Sequence, residues 1–352
     1  MNRSTNSPST IVIHQPRGGI WRVVTWVGWL GFFICLGLLI ANFTLKDFSL
    51  LPNGGMREHF HSGNTNAKSK IAIVSVAGVI GDGHGFVKSQ IDRIRKDKDV
   101  KAVVLRVNSP GGTVYGSDFI YHHLKKLRDE RNLPFVVSMG GIATSGGYYV
   151  SMVVGNQEDS IYAEPTTTTG SIGVIMPHYD LSGLLKRFDV KNDAISSHPR
   201  KQMLSMTRAI PPEHREILQR HVDELFGRFK LIVQEGRPQF RADAAQLDTL
   251  ATGEMFTAGQ AVENGLVDKI GFIEDAIERA MELAKLDKDQ SQVVNYSRQP
   301  TVVDMLGLIR SQPTKLDLTS ALELSAPRAY YLSSSLPPLV QSPLRLPEEL
   351  VD

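Results

Sequence analysis

The sequence predicts a layered α/β domain preceded by one membrane-spanning helix. Two short runs of β-branched residues, 70–80 (KIAIVSVAGVI) and 100–108 (VKAVVLRVN), are bounded by Gly, Asp or Pro, as buried strands are. Residues 115–130 carry apolar side chains at helical spacing and precede a third apolar stretch, 134–139 (PFVVSM). This order of strand, helix and strand is typical of a sheet covered by helices.

The N-terminal region contains an apolar run without charge, residues 23–43 (VVTWVGWLGFFICLGLLIANF). As a helix it would span about 30 Å, which matches the hydrocarbon core of a bilayer. Trp21, Trp26 and Trp29 lie toward its N-terminal end, where indole rings favour the headgroup region. The run is long for a secretory signal and ends without an A-x-A-like cleavage site, so we expect a retained anchor.

The charges flanking this run predict its orientation. Arg3, Arg17 and Arg22 precede it, whereas Lys46 and Arg57 follow it. The slight excess of positive charge on the N-terminal side favours an N-terminus in the cytoplasm. We therefore expect a single-pass protein with the remaining residues on the extracytoplasmic side.

Composition divides the chain into five segments. They are a cytoplasmic tail (1–22), the transmembrane helix (23–43), a tether rich in turn formers (44–69), the folded extracytoplasmic domain (70–290) and a largely irregular C-terminal extension (291–352). Within the domain, residues 211–236 have the apolar stripe of a long amphipathic helix. Residues 256–271 predict a short helix that stops at Gly265 and is followed by an edge strand.

Composition also excludes several functional classes. The 352 residues carry a formal net charge of +2 with scattered Lys and Arg, so no nucleic-acid partner is expected. The single cysteine, Cys35, lies inside the apolar run, which rules out an intrachain disulfide and a cysteine-based zinc site. The sequence contains neither an H-x-x-x-H pair nor a phosphate-binding loop, so we expect no metal and no cofactor.

Three stretches contain residue types suited to acyl transfer. In 141–149 (GIATSGGYY), small residues surround Ser145, which is typical of a nucleophile that a carbonyl must approach, or of close helix packing. The stretch 106–112 (RVNSPGG) ends a strand in glycines, whose N–H groups can bind an oxyanion or form an ordinary turn. The stretch 166–174 (TTTTGSIGV), taken alone, is typical of a polar loop.

A serine nucleophile needs a base, and the sequence offers two candidates. Among the ten histidines, only His178 follows a buried-looking strand downstream of Ser145. Lys201 is the second candidate, because a lysine in an apolar setting favours the neutral amine, which can accept a proton. The neighbouring Arg200 cannot serve, since a guanidinium does not deprotonate. The residues alone leave the choice between His178 and Lys201 open.

Taken together, these stretches resemble the signal peptide peptidase A family of membrane-anchored serine proteases, which share a fold with the Clp protease and crotonase group. The resemblance covers roughly residues 70–280 and implies layered repeats of β-β-α units. By position it gives Ser145 the role of nucleophile and Lys201 the role of base. Gln202 stands where the family has Asp, and His-Pro replaces the Gly region of the family's segment.

The same resemblance implies acyl-enzyme hydrolysis by a Ser/Lys dyad. Lys201 accepts the proton of Ser145, the N–H groups of Gly112 and Gly146 stabilise the oxyanion, and Ser171 orients the amine. Family members of double length carry two copies of the domain and divide the dyad between them. This single copy therefore implies a homo-oligomer on the bilayer, in which Ser145 of one protomer meets Lys201 of a neighbour.

The resemblance also indicates the substrates. It implies a bacterial inner (cytoplasmic) membrane, where an enclosed oligomer over the bilayer would admit peptides, such as remnant signal peptides, and exclude folded proteins. We expect the C-terminal extension either to bind in a groove of the enzyme or to be trimmed by the enzyme itself.

Three other functions stay open at this point. The first is a Ser/His protease of the Clp type with His178 as base. The second is a catalytically inactive membrane scaffold that binds peptides, against which the joint presence of Ser145, Ser171 and Lys201 argues. The third is crotonase-like chemistry on acyl-thioesters. The membrane anchor and the Ser-Gly-Gly motif argue against it.

Overall fold

The computed structural model describes residues 26–37, 56–298 and 329–332, which belong to two compact units. In the first unit, residues 26–37 form helix α1, whose side chains are all exposed. The predicted membrane span, 23–43, extends beyond these residues at both ends, outside the described part of the chain. Among the described residues, no helix combines the length and the apolar character that crossing a bilayer requires.

The second unit is built on a nine-stranded sheet. Along the sheet the strands are β1 (Met56–Gly63), β10 (Ser291–Arg298), β2 (Ser69–Ala77), β3 (Val100–Ser109), β5 (Phe135–Thr144), β6 (Ile161–Ala163) and β9 (Lys269–Ile270), with β7 (Thr168–Gly170) on β5 and β8 (Met255–Thr257) on β7. All pairs are parallel except β1 with β10 and β7 with β8. A separate antiparallel pair joins β4 (Gly111–Thr113) to β11 (Tyr330–Leu332).

Nine helices of the second unit connect and cover these strands in its described part. They are α2 (Phe86–Lys96), α3 (Val114–Arg131), α4 (Gly146–Ser151), α5 (Ser182–Arg187), α6 (Pro212–Gly236), α7 (Gln239–Ala242), α8 (Ala244–Leu250), α9 (Ala258–Glu263) and α10 (Ile273–Ala284). Short 3₁₀ helices occupy Met152–Val154, Pro199–Gln202 and Lys288–Gln290. The predicted α/β class is therefore confirmed, and the sheet is mostly parallel.

The sheet separates two apolar cores. Successive side chains of a strand point to opposite faces, so β2 contributes to both. Ala72 and Val74 pack in the larger core, together with residues of α2, α3, α4 and α6. Ile71 and Ile73 pack in the smaller core, against α10. Burial on both faces explains why the predicted strands at 70–80 and 100–108 are nearly continuous apolar runs.

Two predicted boundaries of the folded domain need correction. The predicted tether, 44–69, contains β1, and the predicted extension, 291–352, begins with β10. Strand β1 (MREHFHSG) is largely polar and has no fully buried residue, because it forms the edge of the sheet. Such a strand is held by backbone hydrogen bonds to β10 rather than by an apolar run, so hydrophobic pattern does not reveal it.

The long helix predicted at 211–236 is confirmed as α6, and the helix stopped by Gly265 as α9, with β9 at the edge of the sheet. Only part of the apolar stripe of α6 is fully buried. Phe229, Ile232 and Val233 lie in the core, whereas Ile217 and Val222 are half-buried. The first half of α6 therefore keeps apolar surface accessible.

A buried ion pair fastens the C-terminal end of α6 to the sheet. Arg237 Nη1 lies 2.6 Å from Asp268 Oδ1, with side chains only 8% and 14% exposed. The other Asp268 oxygen accepts hydrogen bonds from the N–H groups of Ser160 and Ile161, where β6 begins. One carboxylate thus ties together α6, β6 and the turn before β9.

We predict that Asp268→Ala lowers the free energy of unfolding by about 3–5 kcal/mol, because it leaves the Arg237 guanidinium buried without its partner. Urea denaturation measures the change. The matched control is Lys269→Ala, which breaks the half-exposed pair with Asp159 and should leave stability nearly unchanged. Equal effects of the two substitutions would contradict this account of the Arg237–Asp268 pair.

Candidate active site

Ser145 occupies a sharp turn between a strand and a helix. Strand β5 ends at Thr144, helix α4 begins at Gly146, and Ser145 between them has a φ of 54° and a ψ of −112°. The left-handed region is unfavourable for any residue other than glycine, so the surroundings must hold this conformation. The Ser145 N–H donates to Gly170 O at 2.7 Å, and Ser145 O accepts from Tyr149 N–H at 2.8 Å.

The small residues after Ser145 allow close backbone packing. A Cβ atom on Gly146 would lie 2.4 Å from Ser117 Oγ, and one on Gly147 would lie 2.7 Å from Ser109 O. Helix α4 therefore packs directly against the end of β3 and the start of α3. Ser145 itself is 1% exposed.

Ser171 lies beside this turn. Strands β5 and β7 pair so that Thr144 is opposite Gly170, and Ser171 follows directly. Ser171 also has a positive φ, 52°, and its N–H donates to Glu254 O at 2.7 Å. Ser171 is 8% exposed. The stretch that resembles a polar loop in sequence is thus an ordered, buried element next to Ser145.

The two glycines of the Pro-Gly-Gly turn begin β4, and Gly111 lies close to Gly146. A Cβ atom on Gly111, whose φ is 96°, would lie 2.6 Å from Gly146 N. A Cβ atom on Gly112 would lie 1.9 Å from the Ile80 carbonyl oxygen, which accepts a hydrogen bond from Thr113 N–H. Both positions therefore require glycine. The structure brings together Ser145, Gly146, Ser171 and this pair of glycines.

A segment from the C-terminal extension lies along β4. In the antiparallel pair of β11 with β4, Tyr331 is opposite Gly112. The preceding residue of the segment, Tyr330, exchanges two backbone hydrogen bonds with Ile175, at 2.9 and 3.0 Å. The segment is therefore bound on both edges, by β4 on one side and by Ile175 on the other.

The hydrogen-bond register places the Tyr331 carbonyl at the candidate oxyanion donors. Val114 N–H donates to Ala329 O at 3.2 Å. In an antiparallel pair of strands, hydrogen-bonded and non-hydrogen-bonded residue pairs alternate. Gly112 and Tyr331 lie two positions from Val114 and Ala329 along their strands, so they form the next hydrogen-bonded pair. A Cβ atom on Gly146 would lie 3.1 Å from Tyr331 O. Gly112 and Gly146, the two predicted donors, therefore flank one peptide carbonyl.

The Tyr331 side chain fills an aromatic pocket. It is fully buried, with ring centroids 4.6 Å from Phe229 and 5.1 Å from Tyr149. Its hydroxyl donates to Leu225 O at 2.8 Å. Burial raises the pKa of Tyr331, so the phenol stays neutral and can donate this bond.

The Tyr149 ring, which forms one wall of the pocket, is held in place by a hydrogen bond of its hydroxyl to Asp118. The Tyr149 hydroxyl donates to Asp118 Oδ1, which also accepts a bond from the Arg228 guanidinium at 2.8 Å. Burial, followed by the hydrogen bond to Asp118, raises the pKa of Tyr149 well above that of a free phenol. Tyr149 therefore presents a neutral ring to the pocket.

Within one chain, neither predicted base reaches Ser145. Lys201 is exposed on the 3₁₀ helix Pro199–Gln202, and among the described residues no hydrogen bond or ion pair joins its amine to Ser145 or Ser171. His178 is half-buried, and its Nε2 lies 3.1 Å from Ser205 O. The hydrogen bond of His178 is with the segment that carries Lys201, not with Ser145.

Lys201 belongs to an exposed segment, residues 176–211, which we call the arm. Fully buried residues are absent from the described arm. It exposes several large apolar side chains, namely Leu181, Leu184, Phe188, Val190 and Ile195. Phe188 is 73% exposed, which is unusual for a phenylalanine on a surface in contact only with water.

Sequence reasoning did not find the residues of the pocket. Tyr331 lies in a short stretch, AYYL, within a region rich in Pro and Ser, and three residues give no periodic signal. Tyr149 belongs to the Ser-Gly-Gly-Tyr-Tyr motif and Phe229 to the apolar stripe of α6, and neither pattern indicates the pocket that they share. The consecutive tyrosines beside a leucine are the only local sign of an ordered strand.

Comparison with known proteins agrees with this geometry. The family model of peptidase family S49 matches residues 127–287, which include Ser145, Ser171 and Lys201. An Enterococcus faecium protein with the provisional name signal peptide peptidase SppA is 35% identical over 276 residues, 74% of this chain and 77% of the relative. The chain belongs to peptidase family S49.

Two further relatives support the assignment. A Synechocystis protein with the provisional name protease slr0021 is 35% identical over 70% of this chain and 91% of its own length. Protease 4 of Salmonella typhi is 38% identical over 67% of this chain, but the match spans only 38% of that longer protein. As a member of family S49, the chain is a serine protease.

The strain at Ser145 gives a prediction that does not depend on activity. Ser145→Gly and Ser145→Ala both remove the hydroxyl, but only glycine tolerates the left-handed backbone. We expect Ser145→Gly to be more stable to urea than Ser145→Ala by about 1 kcal/mol, since the relief of strain exceeds the entropy that glycine gains on unfolding. Equal stability, or a more stable alanine variant, would show that the turn is not strained.

Proposed function

We propose that this chain is a membrane-anchored endopeptidase that degrades peptides with a Ser145/Lys201 dyad, remnant signal peptides among them. The observation that carries the proposal is that Gly112 and Gly146, the residue that follows Ser145, flank one peptide carbonyl in a segment held between β4 and Ile175. A serine protease requires such a site, in which N–H groups meet the oxygen of the bond that the nucleophile attacks.

The reaction follows from these positions. Neutral Lys201 accepts the Ser145 proton as Oγ attacks the carbonyl carbon, and the Gly112 and Gly146 N–H groups stabilise the oxyanion. The amine of the leaving peptide takes the proton from Lys201 as the C–N bond breaks. Water then hydrolyses the ester, with Lys201 again as base, and restores the Ser145 hydroxyl. Ser171, next to Ser145, is placed to hold the lysine amine by a hydrogen bond.

We assign Lys201 to a neighbouring protomer. The proposal is supported by two properties of the arm: its lysine is exposed and makes no hydrogen bond with Ser145 among the described residues, and its apolar side chains are exposed. A second copy that covers the arm would remove this apolar surface from water and bring the amine to the buried Ser145. A head-to-tail interface of this kind closes into a ring.

The membrane anchor and the substrates belong to the same proposal. The uncharged run at 23–43 is long enough to span a bilayer, and the preceding arginines favour a cytoplasmic N-terminus. The E. faecium relative carries signal peptide peptidase in its name. An anchored ring whose sites face the membrane suits short apolar peptides that remain in the bilayer after secretion.

The division of the dyad predicts complementation. Ser145→Ala and Lys201→Ala should each lower kcat on a fluorogenic apolar peptide on the order of a hundredfold or more, since each removes the nucleophile or the general base. Lys191→Ala, which removes another exposed lysine of the arm, is the matched control and should keep wild-type activity.

Co-assembly of the two inactive variants should then restore activity at about a quarter of the sites, those that combine an intact Ser145 with an intact Lys201 from its neighbour in the ring. Mass analysis of the mixed oligomer confirms that both chains are present. If mixed oligomers stay as inactive as either variant, the dyad is not shared between protomers.

A further inference from the structure

We propose that two buried hydroxyl groups, those of Ser109 and Thr113, are positioning groups for the Gly112 N–H, the candidate oxyanion donor. The reaction proposed above uses neither side chain. Both act through the backbone of the Pro-Gly-Gly turn, which lies between them in the sequence. The proposal rests on the function proposed above, because it takes the Gly112 N–H as an oxyanion donor, and it adds the residues that hold this donor in place.

The direction of the Gly112 N–H is set by Ile80, which pairs with β4 in parallel. Ile80 N–H donates to Gly111 O at 2.8 Å, and Ile80 O accepts from Thr113 N–H at 2.9 Å. Ile80 therefore bonds to the residues on either side of Gly112. Because neighbouring residues of a strand direct their N–H groups to opposite edges, the Gly112 N–H points away from Ile80 and toward the cleft.

Ser109 holds one end of the turn on the segment that contains Ile80, residues 78–81. Its side chain is fully buried, and its hydroxyl donates to Gly78 O at 2.6 Å. The same oxygen accepts from Gly111 N–H at 3.1 Å. A buried N–H without an acceptor costs free energy, and Ser109 supplies that acceptor. One hydroxyl thus joins segment 78–81 to the residue before Gly112.

Thr113 holds the other end of the turn in the same way. Its hydroxyl donates to Gly81 O and accepts from Gly116 N–H at 3.0 Å, which also caps α3. Its carbonyl oxygen accepts from Ser117 Oγ at 2.9 Å. Thr113 is only 7% exposed. The residue after Gly112 is therefore fixed through its N–H, its carbonyl and its side chain.

These bonds hold β4 against segment 78–81 on both sides of Gly112. The contact is so close that a Cβ atom on Gly112 would lie 1.9 Å from Ile80 O. A donor stabilises a developing negative charge most when it does not have to reorient during the reaction. Loss of either hydroxyl should therefore weaken binding of the oxyanion more than binding of the uncharged substrate carbonyl.

Kinetics of the full-length, detergent-solubilised protein on a fluorogenic apolar peptide test the proposal. Thr113→Val keeps the shape of the side chain and removes its hydroxyl, so kcat should fall on the order of tenfold or more with KM nearly unchanged. Thr113→Ser retains the hydroxyl and should keep the wild-type kcat. Ser109→Ala should lower kcat as Thr113→Val does.

Ser291→Ala is the matched control for Ser109→Ala. Ser291 is also fully buried, and its hydroxyl donates to a backbone carbonyl, that of Asp287, at 2.9 Å. It lies at the start of β10, at the opposite end of the parallel strands from Ser109. Both variants should be less stable to urea than wild type, but Ser291→Ala should keep the wild-type kcat.

A peptide aldehyde gives a readout that a purely structural role would not change. Ser145 Oγ adds to the aldehyde carbon, the serine proton passes to the base, and the former carbonyl oxygen becomes an oxyanion at the Gly112 N–H. The Ki of the aldehyde should rise in Thr113→Val and in Ser109→Ala by about the factor by which kcat falls. The Ki of the corresponding peptide alcohol, which forms no oxyanion, should stay unchanged.

The outcomes separate this proposal from the function on which it rests. If both variants that lack a hydroxyl match wild type in kcat and in aldehyde Ki, the positioning role is overturned and the proposed function stays intact. Equal losses in Thr113→Ser and Thr113→Val, or in Ser291→Ala and Ser109→Ala, also overturn the positioning role. Wild type that neither cuts a peptide nor prefers the aldehyde to the alcohol overturns both proposals. If Thr113→Val does not fold, Ser109→Ala and its control decide the question.

Discussion

The site depends on one hydrogen bond, from the Ser145 N–H to the Gly170 carbonyl. It holds a serine in a backbone conformation that favours glycine, and it joins the end of β5 to the segment that carries Ser171. The left-handed turn lets α4 start directly after the strand, so that Gly146 is the first residue of the helix. The strain is tolerated because β3, β5 and β7 hold the turn from both sides.

Close packing of glycines extends this constraint to the cleft. Gly111 and Gly146 allow β4 and α4 to approach each other. In the same way, Gly112 allows β4 to approach Ile80, and Gly147 allows α4 to approach the end of β3. The gap between β4 and Ile175 that results has the width of one extended strand. In this structure the strand is residues 329–332, whose pairing and aromatic anchor fit the cleft as a peptide substrate would.

Much of this fold could be predicted from the sequence, because its central strands are buried on both faces. Strands β2 and β3, helix α6 and the turn at Gly265 carry strong apolar or glycine signals. Strand β1 carries no such signal, since an edge strand is held by backbone hydrogen bonds. Strand β11 has only three residues, and its partner strand, β4, lies more than 200 positions away in the sequence. Motif resemblance predicts the cluster of Ser145, Gly112, Gly146 and Ser171. The Tyr331 pocket cannot be predicted in this way, because it is formed by the packing of Tyr149 against Phe229, which are far apart in the sequence. In the proposed assembly Lys201 reaches Ser145 of a neighbouring chain, and such an arrangement cannot be predicted from a single sequence.

The central claim is that Ser145 is the nucleophile in a cleft that the chain's own tail occupies. Peptide mapping by mass spectrometry, after brief treatment of the purified, detergent-solubilised protein with a fluorophosphonate, tests it most directly. The account predicts a single adduct, on Ser145, that forms faster in Tyr331→Asp than in wild type, because a bound tail shields the serine. An adduct on another residue, or equal rates in the two proteins, would contradict it.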